Sequence, residues 1–499
     1  MWRACLFALF FTLSASASEE KAALADLVRV PHGDQYYTRY FEVPLSILDE
    51  ELEEFSRLFA YHLNSLSRKQ AIVMWARVTP RVWRIDIRDP KWNRDVYEKL
   101  GPLDFYHHQK AVLIETEEIE EYGNWYLDGK AIPAKVPGAV WITDPKLTVR
   151  KKVKKPANEG KQVTGSAPWL DPPTMAKLVE LTQSETPLLR ADWFWVQTVR
   201  HLDRENVETG AGYYDFLELK SLGDVEALAG LDPKLARKLE RQIAAVVKDS
   251  GVAINNRGIF REGAASGGFW RTLDVAGQKG KRNALRLLNG DFVSEAQEIY
   301  AFLPNNLFFY AAVNTADGTL QPFVPTKFAG DKETTNNLFE IHPAHSCQRC
   351  HLEGLRPIRD WSRQFYADGV HLTAADRDVQ KRLEGLYLTP LEEWRIADNL
   401  IYSQALFRVA GWKPAEAAAA YKKWWKRLAE DEVPAATFAL ELHTTERHFI
   451  ASLIWVQFIT GRIDPVIAGY LKQPPINPSR SQVEELFGLA AGYVRGYLP

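Results

Sequence analysis

The chain has 499 residues, 46% apolar and 25% charged, with Gly (30) and Pro (27) near average usage. That excludes a collagen-like, low-complexity or wholly disordered chain and leaves room for about two to four domains at roughly 150 residues each. Lys+Arg 62 against Asp+Glu 64 give a formal net charge of −2, so no global basic field marks nucleic acid as a partner.

Residues 1–18 read MWRACLFALFFTLSASAS. Arg3 supplies a short positive start, Cys5–Leu13 an apolar stretch, and Ala15-Ser16-Ala17 a small-residue cleavage site, which is the pattern of a secretory signal peptide. The apolar stretch falls short of the ~20 residues that span a bilayer. The longest later apolar run, Phe449–Ile459, contains Gln457. The expectation is a periplasmic or secreted protein with no transmembrane segment, released after residue 17 or 18.

Residues 19–35 read as a frayed entry, and residues 19–150 as an N-terminal α/β unit. Tyr36–Val43 reads as extended. Ser46 with Asp49 resembles a capping box, after which Leu48, Leu52, Phe55, Phe59, Leu63 and Leu66 recur at helical spacing. His62 falls on that apolar face as a core residue. Val82–Arg88 alternates as a half-buried strand. The basic run Arg150–Lys155 opens a solvated linker or loop, residues 151–165.

Residues 166–340 read as helical and then hairpin-rich. Leu188–Leu202 and Pro233–Asp249 are the clearest helical runs. Phe269–Val275 and Asn283–Leu288 flank a Gly-containing turn, and Leu307–Val313 and Thr319–Val324 flank Asp317-Gly318; both read as hairpins. Residues 341–499 are mostly helical. Pro414 suits a first helical turn, and Ser481 with Glu484 makes a second capping box. Tyr421, Trp424, Trp425 and Leu428 form an aromatic stripe that reads as core. The fold class is multi-domain α+β, with an α-helical C-terminal region bearing the candidate site.

Of the three cysteines, Cys5 leaves with the signal. The other two stand in His342-Pro343-Ala344-His345-Ser346-Cys347-Gln348-Arg349-Cys350-His351. C-x-x-C-H is the attachment signature of c-type haem. Two thiols three positions apart reach two vinyl groups on one porphyrin edge, and the adjacent imidazole of His351 lies beneath the iron. Attachment outside the cytoplasm agrees with the export signal. Two other readings stay open: a Cys347–Cys350 redox disulfide, and a zinc site drawing on His342, His345 or His351. Pro357 offers a carbonyl for the imidazole Nδ1–H of His351, and Arg356 and Arg359 offer guanidiniums for propionates.

No methionine follows Met175, so the opposite axial ligand is not the usual downstream methionine. The candidates are His371, His443, His448, His201, Met175 or none, a choice that sets potential and ligand access.

Several stretches resemble a family of large exported proteins carrying a single c-type haem motif, found in planctomycete bacteria. They are His62–Arg68, Arg190–Phe194, Gly212–Leu217, Ser250–Arg257, Leu303–Leu307 and Ser346–His351, spread over nearly all the mature chain. The resemblance implies haem attachment at Cys347 and Cys350 with His351 on iron, and implies no substrate. The expected function is one-electron transfer through one covalent haem c to a redox partner protein. A peroxidase-like haem enzyme and a haem-based sensor or binding protein are the alternatives.

Overall fold

A computed structural model describes residues 19–101, 172–199, 212–232, 243–247, 255–289, 292–330, 341–361, 391–461 and 463–495, a few isolated positions between them, and the backbone of five strands within 113–156. Residues 1–18, expected to be a signal peptide, and His201 and His371 lie outside the described residues. The architecture is α+β. No helix among the described residues is long and apolar enough to cross a membrane.

Helix α1 (Glu19–Leu27) opens the described chain where a frayed entry is expected. Its Ala23 and Leu27 are buried against Tyr40, Val82 and Leu178, and that packing holds a segment of weak intrinsic amphipathicity. Strand β1 (Thr38–Glu42), helix α2 (Leu52–Ser65) and strands β2 (Ala76–Arg77) and β3 (Val82–Asp86) follow, with β1 inside the stretch read as extended and β3 where the alternation put it. The turn before α2 is capped two residues later than expected. Leu48 N–H donates to Glu51 Oε2 at 3.1 Å, so Ser46 is not the cap.

Strands β4 (Leu113–Glu120), β5 (Gly123–Leu127), β6 (Lys130–Ile132), β7 (Val140–Thr143) and β8 (Val149–Pro156) form two small sheets, β4-β8 and β6-β5-β7. The basic run is thus a strand, not a loop. In its register Glu115 stands opposite Lys154, Glu117 opposite Lys152 and Glu118 opposite Lys151. Opposite charges directly across a ladder favour pairing, which the reading of Arg150–Lys155 in isolation could not include.

Helix α3 (Pro172–Thr182) leads to β9 (Leu188–Arg190), which pairs parallel with β1 and completes the sheet β2-β3-β1-β9. The run from Leu188 therefore begins as a strand and becomes helix α4 (Ala191–Val199) only afterwards. The second sheet is a meander of β10 (Ile243–Val247), β11 (Arg257–Gly263), β12 (Gly268–Asp274), β13 (Ala296–Phe302), β14 (Phe308–Asn314) and β15 (Leu320–Gln321). Two expectations are corrected here. Ile243–Val247 is a strand rather than helix, because Ile-Ala-Ala-Val-Val pairs along β11. Residues 284–289 are a helical turn, so β12 pairs with β13 instead. The hairpin around Asp317-Gly318 forms as read, with Gly318 at φ +72°.

The C-terminal part is helical: α5 (Gln348–His351), α6 (Leu391–Ala410), α7 (Pro414–Trp425), α8 (Glu446–Thr460) and α9 (Arg480–Arg495). Pro414 is in the first turn of α7. The last helix is capped by Ser479 and Gln482, with Ser479 N–H donating to Gln482 Oε1 at 2.9 Å, and not by Ser481 and Glu484. Helices and both larger sheets share one core. Phe41 meets Phe194 at 4.9 Å between ring centroids, and Phe308 stacks on Tyr402 at 4.4 Å. Burying such rings is the main favourable term in folding.

His62 is fully buried on α2. The Thr198 hydroxyl donates to the Phe194 carbonyl at 2.7 Å, so His62 Nε2–H donates to Thr198 Oγ1 at 2.7 Å and Nδ1 carries the lone pair. Burial pushes the imidazole down to about 3. A depressed histidine contributes stability fully above the unfolded value of ~6.5 and loses it as pH falls toward the folded value, at about 1.4 kcal/mol per pH unit. Urea unfolding at pH 7, 6, 5 and 4 is expected to show this loss. His62→Gln should flatten the pH profile by about that slope; an unchanged profile would contradict the assignment.

Candidate functional site

Cys347 and Cys350 sit on a short helical segment after β15. Pro343–Cys347 form a wide π-helical turn that runs into α5. Pro343 occupies the first position, where its missing N–H is no loss. The turn is closed by His342 N–H donating to Ser346 Oγ at 3.1 Å and by Ser346 N–H donating to the His342 carbonyl at 2.7 Å. π turns concentrate at functional sites. Three residues apart on a helix, Cys347 and Cys350 share one face, and His351 follows one turn after Cys347. Cys347 is buried, Cys350 half-buried, and no disulfide joins them.

The His351 Nδ1–H donates to the carbonyl of Gly354 at 3.3 Å, which leaves the lone pair on Nε2. The acceptor is therefore Gly354 and not Pro357. The helix ends early, with Gly354 N–H bonding back to the His351 carbonyl at 2.9 Å and Gly354 itself at φ +100°. That backbone suits glycine. A Cβ there would also lie 2.7 Å from the Asn399 side chain. Asn399 and Arg395 of α6 hold the next residue: Leu355 N–H donates to Asn399 Oδ1 at 2.7 Å, and the Leu355 carbonyl accepts from Asn399 Nδ2 at 2.9 Å and Arg395 Nη1 at 2.6 Å.

Burial pushes His351 down to about 4, with a further push from Arg356 and Arg257 and an opposing pull from Gly354 and Glu298. The imidazole is neutral at physiological pH, as a metal ligand must be. Its ring lies 4.6 Å from that of Tyr300 and 6.3 Å from that of Tyr310. Arg356 and Arg359 are exposed.

His345 stacks on Trp425 at 3.7 Å, and its Nδ1 lies 3.4 Å from the Tyr421 hydroxyl. Part of the aromatic stripe of α7 is thus the wall of the motif as well as core. Among the described residues no three His, Cys, Asp or Glu side chains converge as a metal site, so the four ligands of structural zinc are not assembled there. Met175 packs into a separate apolar cluster with Leu27, Tyr40 and Val82. His443 has its Nε2 3.7 Å from Glu42 Oε1. His448 is half-buried in the first turn of α8, where Thr445 caps its N–H.

The surroundings that sequence reading missed are tyrosines. Tyr213, Tyr214, Tyr300, Tyr310 and Tyr421 are buried within electrostatic reach of Cys347, and burial holds each phenol well above its ordinary value. Tyr61 and Tyr402 approach each other nearby without full hydrogen-bond geometry. Both amide atoms of the fully buried Gln348 and the hydroxyls of Tyr61, Tyr310 and Tyr402 have no hydrogen-bond partner among the described residues. Buried polar atoms are normally satisfied. The unjoined thiols, the neutral, oriented imidazole and these orphaned groups fit a prosthetic group with two olefinic attachment points, a nitrogen-seeking metal and a polar periphery. Comparison with protein-family models, curated proteins and solved structures finds no match to this chain, so the chemistry of the site rests on its own residues.

Proposed function

We propose that this chain is an exported c-type haem protein that transfers single electrons through one covalently held haem. The observation that carries the reading is the segment Cys347–Gly354, where two thiols on one helical face precede an imidazole whose Nδ1–H is held by a carbonyl. Cys347 and Cys350 would each hold the group by adding S–H across a vinyl C=C, one carbon taking sulfur and the other the proton, with no net oxidation. Haem, when bound, supplies a one-electron ferric/ferrous couple.

The rest falls to the protein. Cys347 and Cys350 anchor the group so that it is not lost outside the cell. His351 offers Nε2 to the metal, and Gly354 fixes the ring and raises its basicity. The α6 clamp through Asn399 and Arg395 holds Gly354. Tyr300 and Tyr310 exclude water from one side of the imidazole. The electron goes to a redox partner protein.

The orphaned hydroxyl of Tyr310 favours one second reading, a haem enzyme or sensor, because a donor with no partner among the described residues suits a small ligand. Cyanide or CO that leaves low-spin bands unchanged supports the carrier; a high-spin form that binds either supports the second reading. The test of haem itself is expression in a host competent in cytochrome maturation, then intact mass and a pyridine haemochrome spectrum. One haem per chain is expected to survive acid–organic extraction. A colourless protein with the mass of the bare polypeptide, or one holding zinc, would overturn the proposal.

A further inference from the structure

The face of the second sheet that meets the motif carries a charge cluster that electron transfer as described does not use. Arg257 on β11, Asp274 on β12 and Glu298 on β13 are neighbours across consecutive strands and share one face with Tyr300 and Tyr310, which stand opposite each other. Arg257 Nε lies 2.8 Å from Asp274 Oδ1, and Nη2 lies 2.8 Å from Asp274 Oδ2 and 3.0 Å from Glu298 Oε1. The Thr272 hydroxyl donates to Asp274 at 3.2 Å, and the Tyr300 hydroxyl donates to Glu298 Oε2 at 3.1 Å. All five side chains are buried.

The count is two carboxylates to one guanidinium. Among the described residues no second cation pairs with either acid. A buried charge without a partner is costly, and the strain is visible in Asp274, which burial and Glu298 push up to about 6 despite Arg257. The surplus faces one direction. Glu298 binds Tyr300, and the Tyr300 ring abuts the imidazole of His351.

We propose that the Arg257–Asp274–Glu298 cluster sets a low reduction potential at the motif, its surplus negative charge offset by the extra positive charge of the oxidised metal centre on His351. The inference rests on the haem reading. Oxidised iron carries one more positive charge than reduced iron, so a fixed negative charge nearby favours the oxidised form, and an external one-electron donor must be stronger to reduce it. Low effective dielectric in the interior lets such a charge act across several ångströms. Glu298 and Tyr300 are positioning residues; neither touches the electron's path chemically.

The test is Glu298→Gln in the haem-loaded full chain, with the midpoint potential read by spectroelectrochemical titration at pH 8, where Asp274 is ionised. Glutamine keeps the size and the bond to Tyr300 and leaves Arg257 paired one-to-one with Asp274. The potential is expected to rise by at least about 59 mV, a tenfold shift in the reduced-to-oxidised ratio at fixed donor strength. Thermal stability should change little, because removing the surplus charge offsets the Arg257–Glu298 contact that is given up. Asp274→Asn removes the other acid and should move the potential the same way, which keeps the proposal testable where one variant folds poorly. Haem-loaded variants with the wild-type potential overturn the inference alone. A colourless wild-type protein overturns the haem reading beneath it.

Discussion

Replacing Cys347 and Cys350 together by alanine is expected to give a folded protein from which all haem can be extracted. Neither thiol carries the fold. Cys347 is a small buried side chain in a core dominated by rings, and Cys350 is half-buried, so removing one sulfur from each should cost about 1–2 kcal/mol or less, at the low end for core truncations. Covalent retention, by contrast, depends wholly on these two atoms. The single variants separate the roles further. Each should keep one thioether, and its haemochrome band should move to longer wavelength because one vinyl group stays conjugated. His351→Ala should leave the covalent mass intact while altering the ligand-field bands, since anchoring and coordination are separate jobs. Intact mass before and after acid–organic extraction measures the outcome. A double variant that retains a covalent adduct would place the attachment elsewhere.

Asp398→Ala is expected to be the most damaging single change to the fold. Asp398 projects from α6 and is 1% exposed. It accepts from Arg261 Nε and Nη2 at 2.9 Å each, from Trp270 Nε1 at 2.8 Å and from Gly268 N–H at 3.2 Å. One carboxylate thus ties α6 to β11 and β12. Alanine would leave the Arg261 guanidinium buried over the Trp394 ring with no counter-ion among the described residues. Removing one partner of a buried pair costs about 3–5 kcal/mol, a large part of the about 5–15 kcal/mol that holds a typical domain. Glu298→Gln differs in kind. There the surplus charge goes and a matched pair remains; here the sole counter-ion among the described residues goes. Urea unfolding of both variants should show a large fall in midpoint for Asp398→Ala and little or none for Glu298→Gln. Arg261→Met combined with Asp398→Leu should recover most of the loss. Equal midpoints for wild type and Asp398→Ala would mean the clamp does not hold the fold.

The elements legible in the sequence were those whose own pattern was strong. The 3.6-residue spacing from Leu52 to Leu63 made α2, and alternation made β3. Asp317-Gly318 turned its hairpin. Where pairing partners decided, local reading failed. Ile243–Val247 has the composition of either element and is a strand because β11 lies beside it. The basic run Arg150–Lys155 became β8 against an acidic strand some thirty residues earlier. The candidate site divides the same way. Cys347, Cys350 and His351 stood out as candidates from spacing alone, because haem attachment would fix residue type and interval. The groups around them could not. Tyr300 and Tyr310 stand together only through the register of β13 with β14, and Glu298 follows on the same face by strand parity. Gly354 was within reach of a sequence reading, since a glycine three residues past a short helix is a common stop signal, but its carbonyl's direction depends on Asn399 from a distant helix.

The burial of Cys347 has a temporal meaning. In the finished fold its sulfur lies below the surface, in one apolar core with Tyr300, Tyr310, Tyr421 and Trp425. A tetrapyrrole is far larger than any opening that breathing of so packed an interior provides. On the haem reading, stitching therefore belongs to the interval after translocation and before the meander and α7 close, and the enzymes that load the chain must meet it while it is still open. Speed of closure and speed of loading are then in competition, and a mutation that hastens folding could empty the protein as surely as one that removes a thiol.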